Sequence, residues 1–96
     1  MRKADLVSKI SDETNVAKVD VLVALESLFT EIKDALANGE NVYIRGFGSF
    51  VLKKRAKKIG RHIKENRPIE IPEHNIPSFK PSKVFVDIVK EKSEKK

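Results

Sequence analysis

The segment 18–37 of this 96-residue chain carries more apolar side chains than one short neighbouring helix can cover. Its apolar residues recur every three or four positions, which is typical of a helix with one side packed against a core. A second apolar stripe beside the first widens that side. The two stripes consist of Val21, Leu25, Leu28, Ile32 and Ala35, and of Leu22, Phe29 and Leu36. Because a lone chain of this size buries only a modest core, we expect a second subunit to cover the excess.

Two shorter segments also have helical periodicity. Residues 3–14 have apolar side chains at helical spacing and an acidic residue in the first turn, where the helix dipole favours negative charge. Ser82 can cap a last helix over residues 83–91, and we expect the charged residues 90–96 to fray. Asn38-Gly39 provides the stop for the long middle helix, since both residues tolerate the left-handed conformation.

The middle of the chain is predicted to be extended. Alternating apolar and polar residues around Gly46-Phe47-Gly48 predict a hairpin over residues 41–52. In residues 53–76, charged and β-branched residues alternate, but neither face is apolar enough to pack on a domain. This pattern predicts a two-stranded ribbon that projects into solvent, with its turn near residues 64–67. Residues 76–81 are predicted to be the strand that returns to the body.

Positive charge is concentrated in the second half of the chain. The formal net charge is +6 with neutral histidines, yet residues 1–50 contain more acidic than basic side chains. Between positions 53 and 67, Glu65 alone opposes a run of cations. These cations are Lys53, Lys54, Arg55, Lys57, Lys58, Arg61, Lys64 and Arg67. Such a run indicates a polyanionic partner, although by itself it equally fits a solvated ribbon face.

The residues that catalysis and metal binding require are missing. The chain has no cysteine, which excludes a disulfide framework, a thiolate metal site and a cysteine nucleophile. His62 and His74 have no carboxylates at the spacing of a metal site, and Gly46-Phe47-Gly48 is an incomplete phosphate-loop pattern with no helix after it. No apolar run is long enough for a membrane span or a signal peptide. We therefore predict a cytoplasmic protein that is no enzyme and has no metal, cofactor, small-molecule substrate or membrane partner.

A series of motifs in unbroken order covers residues 2–91. They are Gly46-Phe47-Gly48-Ser49-Phe50, Arg55, Gly60-Arg61, Ile71-Pro72, Ile76-Pro77-Ser78-Phe79-Lys80 and Lys83. On these motifs the chain resembles the HU/IHF family of bacterial architectural DNA-binding proteins. The resemblance implies an α+β fold in which two intertwined chains form a helical base, a β-saddle and two long β-ribbon arms that hold DNA. In that fold Phe47, Phe50 and Phe79 belong to a core shared by the two subunits.

The resemblance also implies which residues contact DNA. Several basic residues match phosphate or minor-groove contacts of the family, and neighbouring polar residues of the basic segments join them. Ile63 stands where the family carries an intercalating proline, and the turn after it lacks the usual glycine. Apolar side chains of this size can act as wedges between base steps. The predicted DNA-binding set is Lys53, Arg55, Lys58, Arg61, His62, Ile63, Lys64, Arg67, Lys80 and Lys83.

The whole chain is accordingly predicted to be one DNA-binding domain. Its parts are the helical base with the start of the saddle (1–52), the arm (53–76), the return strand with the last helix (77–91) and a charged tail (92–96). The predicted function is that of a dimeric nucleoid protein, HU-like, which binds double-stranded DNA in the minor groove and bends it by shape and charge. We expect it to prefer bent, nicked or mismatched DNA.

Three alternatives remain open at this point. The first is a sequence-preferring, IHF-like factor. The amino-acid sequence alone cannot distinguish it from an HU-like protein, because a ribbon in a minor groove reads mostly A·T against G·C pairs and DNA deformability. The second is an RNA-binding or ribosome-associated basic protein, which the lack of an exposed aromatic stacking platform disfavours. The third is a structural dimer whose basic arm serves only solubility. The sequence also leaves open whether the dimer contains two copies of this chain or one copy and a related subunit.

Overall fold

The computed structural model describes the backbone of residues 1–62 and 67–94, and the side chains of residues 1–57 and 72–93. The chain forms two compact units, residues 1–35 and 36–96, and each is described by itself. The elements in chain order are α1 (Lys3–Thr14), α2 (Lys18–Ala37), β1 (Val42–Ile44), β2 (Gly48–Arg55), β3 (Lys58–His62), β4 (Arg67–Ile71), β5 (His74–Pro81) and α3 (Lys83–Glu94). The first two helices confirm the predicted bounds.

Both ends of α1 are fixed by local hydrogen bonds. The Asp5 carboxylate accepts the Arg2 backbone N–H at 2.8 Å, which satisfies one amide that the start of a helix leaves unpaired. At the other end Asn15 is left-handed at φ 61°, and its N–H donates to the Ser11 carbonyl at 2.9 Å. The Ser11 hydroxyl in turn donates to the Val16 carbonyl at 2.6 Å. The chain therefore turns within a few residues, and α2 can begin at Lys18.

The wide apolar side of α2 stays partly uncovered in a single chain. Leu28 is 49% exposed and Phe29 is 40% exposed, although both belong to the predicted stripes. In the described part of the chain, the buried apolar side chains are Val7, Val21 and Leu36. Such a small core agrees with the prediction that a second subunit completes the fold.

Two glycines with positive φ end α2 and turn the hairpin. Gly39 has φ 85°, and its N–H donates to the Leu36 carbonyl at 3.1 Å. Gly46 has φ 78°, and the following Phe47 N–H donates to the Ile44 carbonyl at 3.0 Å. A Cβ atom is unfavourable in this conformation, which explains glycine at both positions. The predicted helix stop and the predicted hairpin are both confirmed.

Strands β1, β2 and β5 form one antiparallel sheet, in the order β1-β2-β5. The predicted hairpin ends at residue 52, but β2 continues to Arg55 because β5 pairs with it along its whole length. The return strand likewise begins at His74, two residues before its predicted start. Because β5 is an edge strand, Pro77 can lack a backbone N–H without removing a hydrogen bond from the ladder.

The ribbon predicted over residues 53–76 is confirmed in its middle as a pair of antiparallel strands, β3 and β4, whereas residues 53–55 and 74–76 belong to β2 and β5 of the three-stranded sheet. Residues 56–57 and 72–73 belong to no strand and separate this pair from the three-stranded sheet. The predicted turn near residues 64–67 includes Arg67, which is instead the first residue of β4 and pairs with His62. The rest of that prediction falls on residues 63–66, outside the described residues.

Four phenylalanines form an aromatic cluster, which we define as Phe47, Phe50, Phe79 and Phe85. The Phe47 ring stacks on Phe85 with centroids 5.3 Å apart, and it lies 5.1 Å from Phe79. The Phe50 and Phe79 centroids are 5.0 Å apart. Offset contacts of this kind add to the hydrophobic gain from burial. The cluster thus fastens the hairpin turn, β2 and β5 to α3.

Ser82 caps α3, as the sequence predicts. Its hydroxyl accepts the Phe85 N–H at 3.2 Å, and its carbonyl accepts the Val86 N–H at 2.9 Å. The Ser82 N–H donates to the Phe47 carbonyl at 2.9 Å. The start of α3 is therefore tied directly to the turn of the hairpin.

The far end of α3 differs from the prediction. The helix continues to Glu94, three residues beyond its predicted end at residue 91. The segment contains neither glycine nor proline, and its lysine and glutamate residues favour helix. Lys92 in the last turn also interacts favourably with the helix dipole.

Candidate nucleic-acid interface

The register of the three-stranded sheet sorts its side chains into two faces. Directly paired residues of antiparallel strands project to the same side, and successive residues alternate. Tyr43 pairs with Ser49, which pairs with Lys80. The side that carries this row is called the basic face below, and the opposite side carries Phe50 and Phe79. The basic face consists of Tyr43, Ser49, Val51, Lys53, Arg55, His74, Ile76, Ser78 and Lys80.

Three of the predicted DNA-binding residues lie on the basic face, with Lys53 and Arg55 at one end of it and Lys80 nearer the hairpin turn. Lys53 and Arg55 follow each other on β2 at a spacing of two residues, and Lys80 lies on the neighbouring strand β5. All three are exposed. Among the side chains that the structure describes, no carboxylate forms an ion pair with them. Lys53 and Arg55 are about 7 Å apart along the strand and repel each other, and an external anion relieves that repulsion.

Lys54 lies between two of these cations in the sequence but points the other way. Its cross-strand partner Asn75 lies on the face opposite to the basic face. The Lys54 ammonium forms an ion pair with the Glu73 carboxylate. Lys54 therefore has an ion-pair partner on one face of the sheet, while its sequence neighbours Lys53 and Arg55 have none among the described side chains on the other face.

Lys83 extends the cationic surface beyond the sheet. It is the first residue of α3 and is exposed, and no acidic residue lies in the first turn of that helix. Unpaired backbone N–H groups and the helix dipole make such an end favourable for anions. The hydrogen bond between Ser82 and Phe47 holds this helix start next to the hairpin turn.

The remaining predicted residues belong to the ribbon. Lys58, Arg61 and His62 lie on β3, and Arg67 lies on β4 opposite His62. Their backbone positions are described, but their side chains are not. Ile63 and Lys64 lie outside the described residues, so their predicted roles remain predictions.

Residue-by-residue reasoning missed several polar neighbours of this surface. Tyr43, Ser49 and Ser78 share the basic face with Lys53 and Lys80. Ser49 lies four residues before Lys53 on β2, so the alternation of side chains along a strand already predicts that both project from the same face. Tyr43 and Ser78 lie on other strands, so their place on the basic face could be assigned only from the pairing register of the sheet.

Other functional classes find no support in the described residues. No group of three or more His, Asp or Glu side chains lies close enough there to hold a metal ion. In the same residues, no helix is both long and apolar enough to cross a membrane.

Comparison with known proteins identifies the family. The sequence pattern of the family described as "Bacterial DNA-binding protein" matches residues 1–90. The chain belongs to this family. It is 39% identical over 90 residues to DNA-binding protein HU of Thermotoga maritima, covering 94% of this chain and all of that protein. It is 36% identical over 89 residues to DNA-binding protein HU 1 of Bacillus subtilis, covering 93% and 97%.

A solved structure confirms the fold. The chain is similar to the protein chain of the Anabaena HU–DNA cocrystal structure, with a TM-score of 0.86 and 32% sequence identity. The match covers 93% of this chain and 97% of the other. The predicted resemblance and the α+β HU-type fold are therefore confirmed. HU-family proteins are structural DNA-binding proteins and not enzymes, in agreement with the prediction from the missing catalytic residues.

Proposed function

We propose that this chain is an HU-like architectural protein that binds double-stranded DNA as a dimer and bends it. The observation that carries the proposal is the basic face, which presents Lys53, Arg55 and Lys80 on one side of the sheet without carboxylate partners in the described chain. Membership of a family whose relatives are DNA-binding HU proteins supports the same assignment. As part of this proposal, the whole chain acts as one DNA-binding domain, and its place of action is the bacterial nucleoid.

The dimer follows from apolar surface that one chain leaves open. In a single chain Phe47 is 43% exposed and Phe79 is 39% exposed, although both belong to the aromatic cluster. Beside them lies an apolar groove of about 480 Å³, lined by Phe79, Pro81, Phe85, Val86, Val89 and Lys90. Burial of such surface contributes about 25 cal/mol per Å². A second subunit that covers α2 and this groove supplies the core that a single chain lacks.

Affinity in this mechanism comes mainly from charge. Each phosphate that a lysine or arginine neutralises releases condensed counterions, and this gain does not depend on base sequence. The basic face and Lys83 supply such cations from the body of each subunit. Lys58, Arg61, Lys64 and Arg67 are proposed to do so from the arms, where His62 is proposed to contact phosphate as a hydrogen-bonding group.

Bending is assigned to the ribbon tip. Ile63 is proposed to act as the wedge between base steps in the minor groove, a mechanism of which IHF and HU are themselves known examples. Unstacking costs a few kcal/mol per step, and contacts of the bent duplex with the saddle offset it. DNA that is already nicked or mismatched has lost part of its stacking, so we expect the protein to prefer it.

One gel-shift series tests the function against its alternatives. The full chain is titrated with intact, nicked and mismatched duplexes of one sequence, with random duplexes, and with double-stranded RNA. We expect the order nicked or mismatched DNA, then intact DNA, then RNA, with little dependence on base sequence. Tighter binding to RNA would favour the RNA-binding alternative. Strong preference for selected DNA sequences would favour an IHF-like factor, and absence of salt-dependent binding would leave only the structural dimer.

A further inference from the structure

A shallow cavity of about 260 Å³ lies where the hairpin turn meets the end of β5. Its lining includes Tyr43, Arg45, Ser49, Lys80 and Ser82. These side chains supply two cations and three hydroxyl groups, and no carboxylate lines the cavity. Cations and hydroxyl donors without an opposing acid form a lining suited to an oxyanion.

Tyr43 is the least expected member of this lining. Its side chain is 72% exposed, so packing in a core does not explain an aromatic residue there. The Asn41 side-chain amide donates to the Tyr43 hydroxyl at 3.3 Å, while its carbonyl oxygen accepts the Leu52 N–H at 3.1 Å. The hydroxyl is thus oriented by a side chain anchored in the sheet. It accepts one hydrogen bond and keeps its own proton for another acceptor.

We propose that Tyr43, Arg45 and Lys80 together bind one backbone phosphate of the duplex in this cavity. The inference rests on the proposed function and adds Tyr43 and Arg45 to its contact residues. A guanidinium can donate two parallel hydrogen bonds to a phosphate, and an ammonium adds a compact positive charge. The tyrosine adds a neutral donor.

The placement of the three residues fits a single phosphate. Tyr43 and Lys80 occupy one row across the sheet with Ser49 between them. Their backbones are therefore two strand spacings apart, roughly 10 Å. Long side chains from both sides can meet above the small Ser49. The Ser82 hydroxyl accepts the Phe85 N–H as the cap of α3, and like the Tyr43 hydroxyl it keeps its own proton for a further acceptor.

Salt titrations distinguish the charged from the neutral contact. Affinity of the full chain for a fluorescent duplex is measured at several salt concentrations. The double variant Arg45→Gln, Lys80→Gln should make the slope of log K against log[salt] shallower by about 0.9 per subunit, because the one phosphate that both cations neutralise is then left without a cation, whereas each single variant should change the slope by less. Tyr43→Phe should weaken binding about fivefold at every salt concentration with the slope unchanged, since a hydroxyl releases no counterion.

Lys54→Gln is the matched control for a lost positive charge. Lys54 projects from the opposite face and is paired with Glu73, so its variant should keep the wild-type slope. Circular dichroism and melting temperatures check that all variants remain folded. A wild-type slope for the double variant, a slope shallower by about 1.8 per subunit, which would mean that the two cations neutralise different phosphates, or wild-type affinity for Tyr43→Phe would overturn the proposed site.

A modified duplex tests the phosphate itself. A single uncharged methylphosphonate is moved along the backbone, one position per duplex. At the position that occupies the cavity, the wild-type protein should lose affinity, whereas the double variant Arg45→Gln, Lys80→Gln should lose little affinity beyond that of its two substitutions. Equal losses for both proteins at every position would refute the site. If the wild-type chain binds none of the unmodified duplexes, the proposed function fails instead, so the two failures are distinguishable.

Discussion

At the scale of single residues, Gly48 occupies a place where the sheet has no room for a side chain. A Cβ atom there would lie 2.6 Å from the Lys80 carbonyl oxygen and 2.7 Å from the Phe79 ring. Neither neighbour is the free end of a flexible chain, so Gly48→Ala must displace the strand or the aromatic cluster. We expect it to lower the free energy of unfolding by about 1–3 kcal/mol, the usual cost of overpacking, in urea denaturation.

Gly46 offers the matched control for this substitution. It has φ 78°, but nothing lies within 4 Å of a Cβ built there. Gly46→Ala should therefore cost only the strain of the left-handed backbone, about 1–2 kcal/mol. If the Gly48 variant proves as stable as the wild type, the close approach of β5 to this position is wrong.

Ile63 is predicted to affect bending more than affinity. Ile63→Ala should reduce the bend and the preference for nicked DNA, while affinity for an intact duplex changes by less than about 1 kcal/mol because phosphate contacts remain. Arg61→Ala should instead weaken binding to all duplexes. Energy transfer between the ends of a short duplex at saturating protein measures the bend. An unchanged bend angle with Ile63→Ala would show that another residue is the wedge.

At the scale of elements, β2 places successive side chains alternately on the basic face and on the opposite face of the sheet. Lys53 lies on the basic face, whereas Lys54 projects from the other side and pairs with Glu73. Lys53→Gln should therefore make the salt slope of DNA binding shallower by about 0.9 per subunit, and Lys54→Gln should leave it unchanged. Both variants lose one charge of the same kind one residue apart. Equal effects on the slope would mean that only net charge, and not this face, determines binding.

The elements also show which part of the fold the sequence could determine. Periodicity and stop residues are local signals, and they predicted α1, α2 and the cap of α3 at Ser82 correctly. The length of β2 depends on its pairing with β5, which is not a local signal. The end of α3 depends on the helix propensity of lysine and glutamate, whereas their charge suggested an unstructured tail. Membership of the basic face depends on register, so Tyr43 could not be placed with Lys80 before the strands were aligned.

At the scale of the whole molecule, the open apolar surfaces require a partner. Sedimentation at micromolar concentration should show dimers, and a folded, stable monomer would contradict this expectation. Comparing the chain purified alone with the chain mixed with a related subunit shows whether the dimer contains one kind of chain or two. A chain purified alone that forms the same dimer would establish a homodimer, whereas a chain that dimerises only with a related subunit would establish a heterodimer.

The dimer also sets the expected dependence of binding on salt. If each subunit neutralises about four phosphates, log K against log[salt] should have a slope of roughly −7 for the dimer. Fluorescence anisotropy with a labelled duplex at several salt concentrations measures this slope. A slope shallower than about −3 would mean that most of the basic surface remains in solvent when DNA is bound.

The half-open aromatic cluster has a thermodynamic consequence. Phe47 and Phe79 are partly exposed in one chain. If the second subunit of the dimer covers them, folding is a reaction of second order in chain concentration, and dilution alone favours unfolding. DNA that binds only the assembled pair shifts the same equilibrium by mass action. The melting temperature should then rise with protein concentration even without DNA, and rise again when duplex is added. A cell that makes more of this protein would thereby also make each molecule of it more stable.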